Sequence, residues 1–452
     1  MLALLNVVLT LSPVLAEHWA VIVAGSKGYI NYRHQADACH AYHVVRRHGI
    51  PAENVVLMMY DDVAWHPSNP FPGQLFNRPT IKNATHGDVP PVDVYKGCRI
   101  DYRGEEVTPE TFIHVLTGNS TGAWNKKVLT STADDRVFIN FIDHGSRGNI
   151  YFPHMKSLTA AKLQQTMQKM YDTNMYKELV FYVETCESGS MFSTSFLKRI
   201  NAFVTTAANG IESSWATYCP PLDEVNGERI GTCLGDMYSV NWMEDSDLTD
   251  LSGESLKVQY HRVQQRTPKS HVRAFGSTKL SHEIVGNYQS TYDIDATEKA
   301  SSRHDSNTVA IAASPAATLH DSAVDARDVD LVVVFYRYLR APSGQDRRAL
   351  AKKLTATIES REATDEVFET IHSMYHEQTA TRLLQVDEAS HFACHDQVTR
   401  AFDTCCAFTG GITSYSLKYV GTLTDLCESD LTGNGVVSIV CDACSYVQKR
   451  YV

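Results

Sequence analysis

Cys186 stands just beyond an apolar and aromatic run, Leu179-Val180-Phe181-Tyr182-Val183, and is followed by Glu187-Ser188-Gly189. The run reads as a buried strand. A thiol at the carboxyl end of such a strand, with small polar residues after it, is where an α/β fold presents a nucleophile. A second run, residues 137–142 (VFINFI), ends in Asp143-His144-Gly145. Two neighbouring strands ending this way bring an imidazole to a thiol. A thiol attacks a carbonyl only as the thiolate, and an imidazole supplies that state at modest pH. Cys186 is then the nucleophile and His144 the general base. The backbone N–H groups of Gly145 and Cys186 are the candidate donors to a developing oxyanion. On the residues alone a plainer reading competes, because His-Gly often ends a strand and a cysteine is often simply buried.

The elements that must position this pair alternate along the chain. Residues 18–25 (HWAVIVAG) and 54–60 (NVVLMMY) read as strands, with a loop at 31–35 and a helix at 37–48 between them. Residues 61–108 are rich in loops. Thr108-Pro109-Glu110 carries an N-cap and a first-turn proline, and so opens a helix. The strand at 137–142, a helix near 158–171, the strand at 179–183 and a strand at 202–207 follow. This alternation predicts a mostly parallel sheet with helices on both faces. Residues 295–330 have little apolar periodicity and read as an exposed linker, a proteolysis target. Helical patterning returns from Asp346, with Leu350, Leu354 and Ile358 on one face, then Val367, Phe368, Ile371, Met374 and Tyr375.

Bulk properties set the context. A chain of 452 residues with 43% hydrophobic content exceeds one ordinary domain and predicts two. Its net charge of −11 argues against a nucleic-acid surface. The apolar residues 1–16 end in Val14-Leu15-Ala16 and read as a signal peptide. No later stretch is long enough to span a membrane. The eleven cysteines suit an oxidising compartment, and the odd total leaves a free thiol, for which Cys186 is the candidate. Asn83 and Asn119 head Asn-X-Ser/Thr triplets and are candidate glycosylation sites. Cys441-Asp442-Ala443-Cys444 has metal-type spacing but no second half, so no metal site is predicted, nor any organic cofactor.

Five blocks carry a family resemblance: NYRHQADACHAY from Asn31, DHGSRG from Asp143, ETCESGSMF from Glu184, TTAANGIESSW from Thr205 and CLGDMYSVNWMEDSD from Cys233. They resemble, in order, the signature blocks of legumains, the asparaginyl endopeptidases of the caspase-like cysteine peptidase clan. The resemblance continues into the tail and covers nearly the whole mature chain. It implies a caspase-like α/β/α sandwich with a six-stranded, mostly parallel sheet at residues 17–290. It further implies a linker or activation peptide at 291–345 and a death-domain-like, all-α, disulfide-stapled prodomain at 346–452.

The resemblance makes Cys186 the nucleophile and His144 the base, with Asn31 orienting the imidazole. It places the specificity pocket on Arg33, His34, Glu184, Ser213, Ser214 and Asp236. An Asn side chain has one carbonyl acceptor and one NH₂ donor group, so a base on one side and acids on the other complement it. Aliphatic side chains then leave these polar groups unpaired and are rejected. Cleavage after Asp is expected at acidic pH, where a protonated Asp mimics Asn. Asp143 occupies a position that family members convert to a succinimide, and Glu187 reads as a local structural residue. Thr185 replaces the usual Ala before the nucleophile. Lys27 and Ile30 vary the loop before Asn31.

By the same resemblance, Cys219–Cys233 closes a loop beside the substrate groove, and Cys394–Cys427 and Cys406–Cys444 staple the prodomain. Cys405 and Cys441 are extra and available for a third bridge. The family's usual Asn at the processing junction is absent, which leaves Asn307, Asp325 and Asp346 as candidate cleavage sites. Implied partners are protein and peptide substrates, the chain's own prodomain as inhibitor, and cystatin-type inhibitors. The implied location is the secretory pathway, ending in a vacuole, a lysosome or outside the cell. The leading expectation is a zymogen that cleaves after Asn, with acid protonating carboxylates to release the cap. The same acyl-enzyme captured by an amine gives a peptide ligase or cyclase instead. A non-catalytic scaffold is the third reading, opposed by the intact Asn31, His144 and Cys186.

Overall fold

The computed structural model describes residues 16–82, 88–291, 320–378, 388–427 and 433–451. The signal peptide (up to residue 15), Asn83 and Asn307 lie outside the described residues. Six strands form the central sheet: β1 (His18–Ala24), β2 (Val55–Met59), β3 (Arg136–Ile142), β4 (Glu178–Glu184), β5 (Ala202–Thr206) and β6 (Arg273–Gly276). Their order across the sheet is β6-β5-β4-β3-β1-β2. Five run parallel, and β6 pairs antiparallel with β5 at one edge.

Successive strand residues point to opposite faces, so each strand feeds two cores. Ala20, Ile22, Phe138, Val180 and Tyr182 lie in one core, and Val21, Val23, Ile139, Phe181 and Val183 in the other. The covering helices are α1 (Tyr32–Arg47), α2 (Pro109–Leu116), α3 (Ala160–Asp172), α4 (Met237–Leu248) and α5 (Leu256–Arg266). Helices α1, α4 and α5 pack on the first core, α2 and α3 on the second. Both faces being covered explains why these strands read as continuous apolar runs. Thr108 caps α2, its hydroxyl accepting from the Thr111 N–H at 3.1 Å.

Several local expectations change. Residues 32–35 are the first turn of α1 rather than a loop, because Tyr32, Arg33, His34 and Gln35 are all buried against the sheet end. Leu158 belongs to a short strand, Lys156–Thr159, and α3 starts after it. The edge strand β6 had no clear signal, since its four residues include an exposed Arg273 and a Gly.

The expected linker is ordered at its carboxyl side. Residues Val324–Asp325 form a strand and Val329–Arg340 form α6. Ser322, Ala326, Arg327 and Val329 are buried rather than exposed, because they pack onto the peptidase domain. Beyond them lie α7 (Gln345–Gln378), α8 (Glu388–Cys405), α9 (Val420–Cys427) and α10 (Gly433–Tyr451). The second half of α7 supplies Val367, Phe368 and Ile371 to a separate helical core. Its first half packs beside α6, and Ile358 there is exposed.

Five disulfides join Cys39–Cys98, Cys219–Cys233, Cys394–Cys427, Cys405–Cys441 and Cys406–Cys444, and Cys186 is the free thiol. The Cys39–Cys98 bond was not anticipated. It ties α1, which carries Arg33 and His34, to a loop 59 residues away in sequence. Closing a loop of this length restricts the unfolded chain. A Cys39→Ala, Cys98→Ala variant is expected to lose about 4 kcal/mol of stability, read from denaturant midpoints under oxidising conditions.

Candidate active site

The site sits at the carboxyl ends of β1, β3 and β4. The parallel register pairs Ile142 with Glu184, and the Asp143 N–H donates to the Glu184 carbonyl at 3.0 Å. Two residues beyond this pair the chain brings His144 and Cys186 out at the same end of the sheet. Gly145 has to be glycine: a Cβ there would lie 2.3 Å from the Cys186 carbonyl oxygen.

Asn31 precedes α1. Its Nδ2 donates to the Lys27 carbonyl at 2.9 Å, and its Oδ1 lies 2.9 Å from His144 Nε2. An amide oxygen only accepts, so Nε2 carries the imidazole proton and Nδ1 keeps its lone pair. His34 meets His144 edge to face, with ring centroids 5.1 Å apart. Ser26 Oγ sits 2.6 Å from His34 Nδ1. His34, Asp143 and His144 bring ligand-type atoms within 4.8 Å of one another. The adjoining Arg33 cation disfavours a metal ion there. Asp143 is buried, and burial holds its carboxyl well above the usual range.

Arg33, His34, Glu184 and Asp236 are each about 1% exposed. Arg33 Nε donates to Asp236 Oδ1 at 2.8 Å. Glu184 Oε2 accepts from the Ser239 N–H at 2.8 Å and from its hydroxyl at 3.0 Å. Arg33 Nη2 and Glu184 Oε1 have no hydrogen-bond partner among the described residues. Leaving buried polar groups unmade is costly, so the pair points to a polar occupant. A cavity of about 350 Å³ adjoins Arg33, lined also by Ser26, Asn31, Asp143 and His144, with Ala326 and Val329 above; Glu184 and Asp236 do not line it. Lys27 and Ile30 form part of its wall.

The chain's own carboxyl side covers this cleft. Val324 and Asp325 pair antiparallel with Ala216 and Trp215, and the Ala326 N–H donates to the Ser214 carbonyl at 3.0 Å. Adding a strand to an edge is how extended peptides bind. Arg327 then donates to Glu187 Oε1 at 2.8 Å, to the Gly145 carbonyl at 3.4 Å and to the Ser213 hydroxyl at 3.4 Å. Glu187 is therefore a long-range partner of the covering segment rather than a local structural residue. Arg361 on α7 holds the segment in turn, donating to the Arg327 carbonyl at 2.8 Å and pairing with Asp328 and Asp330.

Cys186 is 2% exposed beneath this cover. Burial raises its pKa, opposed by Arg327. The Ser214 N–H points at its sulfur from 3.3 Å. His144 is pushed down to about 3, first by burial and then by Arg33 and Arg327. Thiol and imidazole are both neutral in this closed form. Asn119 is exposed; its Nδ2 lies 3.0 Å from His114 Nδ1, and its Oδ1 accepts from the Gly122 N–H.

Residues 18–291 match the peptidase C13 family, and residues 352–444 match the legumain prodomain. Legumain of Mus musculus is 39% identical over 420 residues, which cover 91% of this chain and 89% of that one. Legumain of Homo sapiens is 38% identical over 419 residues, with the same coverage of each. The vacuolar-processing enzyme delta-isozyme of Arabidopsis thaliana is 35% identical over 446 residues, covering 94% of this chain and 90% of that one. A peptidase domain whose thiol is covered by its own following helices, with relatives of this similarity along nearly the full length, is a protease zymogen, and the chain belongs to the peptidase C13 (legumain) family.

Proposed function

We propose that this zymogen, once opened, cleaves peptide bonds after Asn, and after Asp at acidic pH. Cys186 attacks the carbonyl, His144 takes the thiol proton and later gives it to the leaving amine, and the Gly145 and Cys186 N–H groups hold the oxyanion. Water then releases the acyl-enzyme. The observation that carries the specificity is the unpartnered buried pair, Arg33 Nη2 as donor and Glu184 Oε1 as acceptor. Together they complement one primary amide. The test offers matched peptides with Asn, Asp, Gln, Ala or Arg before the scissile bond to the acid-processed enzyme. An added amine and a mass readout separate hydrolysis from ligation. Preferred turnover of Ala or Arg peptides would overturn the assignment.

The five disulfides support a secretory route, ending in a vacuole, a lysosome or outside the cell. Asp346 lies in the exposed first turn of α7, whereas Asp325 is held in the paired strand. Asp346 is therefore our preferred processing site of those two.

We place the trigger for acid release at His144 rather than at the carboxylates that the sequence suggested. Burial raises Glu187 and Asp325, so their protonation favours the closed form. His144 has the opposite sign. It is a base held at about 3 against an ordinary 6.5, so the closed form gains stability above 6.5 and loses it as pH falls towards 3. Arg327 and the cover itself leave on opening, and His144 then takes up a proton. In a Cys186→Ser background with the linker cut, the cap is expected to dissociate as pH falls below 6.5. Adding His144→Gln should shift that midpoint down by at least about one pH unit. Size-exclusion at a series of pH values reads it, and an unmoved midpoint would remove His144 as the trigger.

A further inference from the structure

Behind the specificity pocket lies a third acid that the reaction does not use. Asp37 is fully buried on α1, one turn after Arg33 and on the same face. Its Oδ2 accepts from the Asp236 backbone N–H at 3.1 Å. Its Oδ1 accepts from Asn77 Nδ2 at 2.6 Å, and the same Nδ2 donates to the Leu234 carbonyl at 3.0 Å. Burial, together with the Asp236 carboxylate beside it, disfavours ionisation of Asp37. Two carboxyls buried side by side do not both ionise cheaply, so one of them carries a proton.

The packing leaves no slack around this contact. A Cβ on Gly235 would come within 2.6 Å of Val240, 2.9 Å of Asn77 Nδ2 and 3.2 Å of Asp37 Oδ1. Asn77 is fixed from its other side by His40 Nδ1 at 2.7 Å, and His40 Nε2 sits 2.9 Å from Asp247. Arg47 pairs with Asp247 at the outer end. An unbroken chain of contacts therefore runs from Arg33 through Asp236, Asp37, Asn77 and His40 to Asp247 and the half-buried Arg47.

We propose that Asp37 is a specificity-positioning residue: it donates its proton to the Asp236 carboxylate and holds Asp236 against Arg33, so that the guanidinium presents its unpartnered Nη2 to the substrate side chain.

The charges around Asp37 fit this role. It faces Asp236 from the start of α4, Glu184 from the end of β4, and Arg33 on its own helix. His34 lies behind Asp236, with Nε2 3.5 Å from Asp236 Oδ2. One guanidinium cannot balance three buried carboxylates. Asp236 touches Arg33 directly and keeps the negative charge. Burial and the neighbouring Asp236 hold Asp37 well above the usual carboxylate range. Raising the pH eventually strips the shared proton, places two carboxylates in contact and drives Asp236 off Arg33. Substrate binding weakens, while the Cys186–His144 pair is untouched. The inference rests on the proposed preference for Asn.

The test is steady-state kinetics on an Asn peptide from acidic to neutral pH, with the processed enzyme. In Asp37→Asn the amide carbonyl still accepts from Asn77 Nδ2, and the NH₂ donates to the Asp236 carboxylate in place of the accepted Asp236 N–H bond, with no proton to lose. This variant is expected to keep kcat within about threefold. Its KM should stay flat to at least about one pH unit higher than in the parent enzyme. Asp37→Ala leaves Asp236 unheld and is expected to raise KM at least about tenfold with a smaller change in kcat. An alkaline KM limb in Asp37→Asn that superposes on the parent would overturn the proposal. So would an unchanged KM in folded Asp37→Ala. If Asp37→Ala does not fold, the Asp37→Asn profile decides alone. Failure of the parent enzyme itself to prefer Asn would instead overturn the substrate assignment.

Discussion

Cys186→Ala, processed to remove the cap, is expected to turn over an Asn peptide at least about 10⁴-fold more slowly than the parent enzyme. The loss falls on kcat, because the cavity, Arg33 and the strand edge at 214–217 still bind the peptide. His144→Ala should fall by a similar factor, and the double variant by little more, since nucleophile and base act as one unit. Rates of acyl-enzyme formation with an active-site titrant check both. Residual turnover within about tenfold of the parent would mean that another nucleophile acts. Cys186 is the free cysteine of the chain, so thiol labelling offers a second readout. Labelling should be slow in the closed zymogen, where the sulfur is 2% exposed, and fast once the cap is gone.

The second large effect belongs to Arg33. Arg33→Gln is expected to lower kcat/KM for an Asn peptide by about 10³-fold or more, because the site then faces the substrate carbonyl with a displaced or missing donor. Three buried acids, Asp37, Glu184 and Asp236, also lose their cation. All three already have carboxyls raised by burial, so they take up protons rather than force the chain open. The expected signature is lost activity with a fold that survives at acidic pH and loosens as pH rises. The sign follows from linkage: a carboxyl whose folded pKa is raised contributes stability below its ordinary value and loses it as pH climbs through the raised one. Thermal melts from about pH 4 to about pH 7 check this. An Arg33→Gln enzyme that cleaves Asn peptides normally would remove Arg33 from the pocket.

The zymogen geometry links these two results. Arg327 of the cover sits on Glu187, one residue past Cys186, and Arg361 of α7 holds the Arg327 carbonyl. The cap thus blocks the cleft through a strand-like segment and two arginines. A cut beyond α6 leaves α7 tied to the 324–327 segment through Arg361, which holds the Arg327 carbonyl, Asp328 and Asp330. On the reading proposed above, dissociation of that segment is a separate step, driven by the protonation of His144.

Local sequence was enough for the core and for the strand ends that carry Cys186 and His144. Runs such as VFINFI and LVFYV are legible because a strand buried on both faces must be apolar at every position. Their ends show where Cys186 and His144 emerge. Thr108-Pro109 marked the start of α2 through backbone chemistry confined to one turn. The family blocks added Asn31 and the pocket residues, which composition alone would have left as turn and surface positions. Other features depended on distant residues meeting. Arg33 pairs with Asp236 across 203 residues, and Arg327 with Glu187 across 140. The first turn of α1 read as a loop because Arg33 and His34 are polar. They are buried because the sheet end and Asp236 supply their partners. Residues around 320–329 read as linker because their stability comes from pairing with Trp215 and Ala216 rather than from their own periodicity. Eleven cysteines allow many pairings, and spacing did not suggest Cys39–Cys98. Hydrophobic periodicity and capping act within a turn or a strand and are therefore written in the local sequence. Whether a buried charge meets its partner depends on strand register and helix placement, which only the folded chain decides.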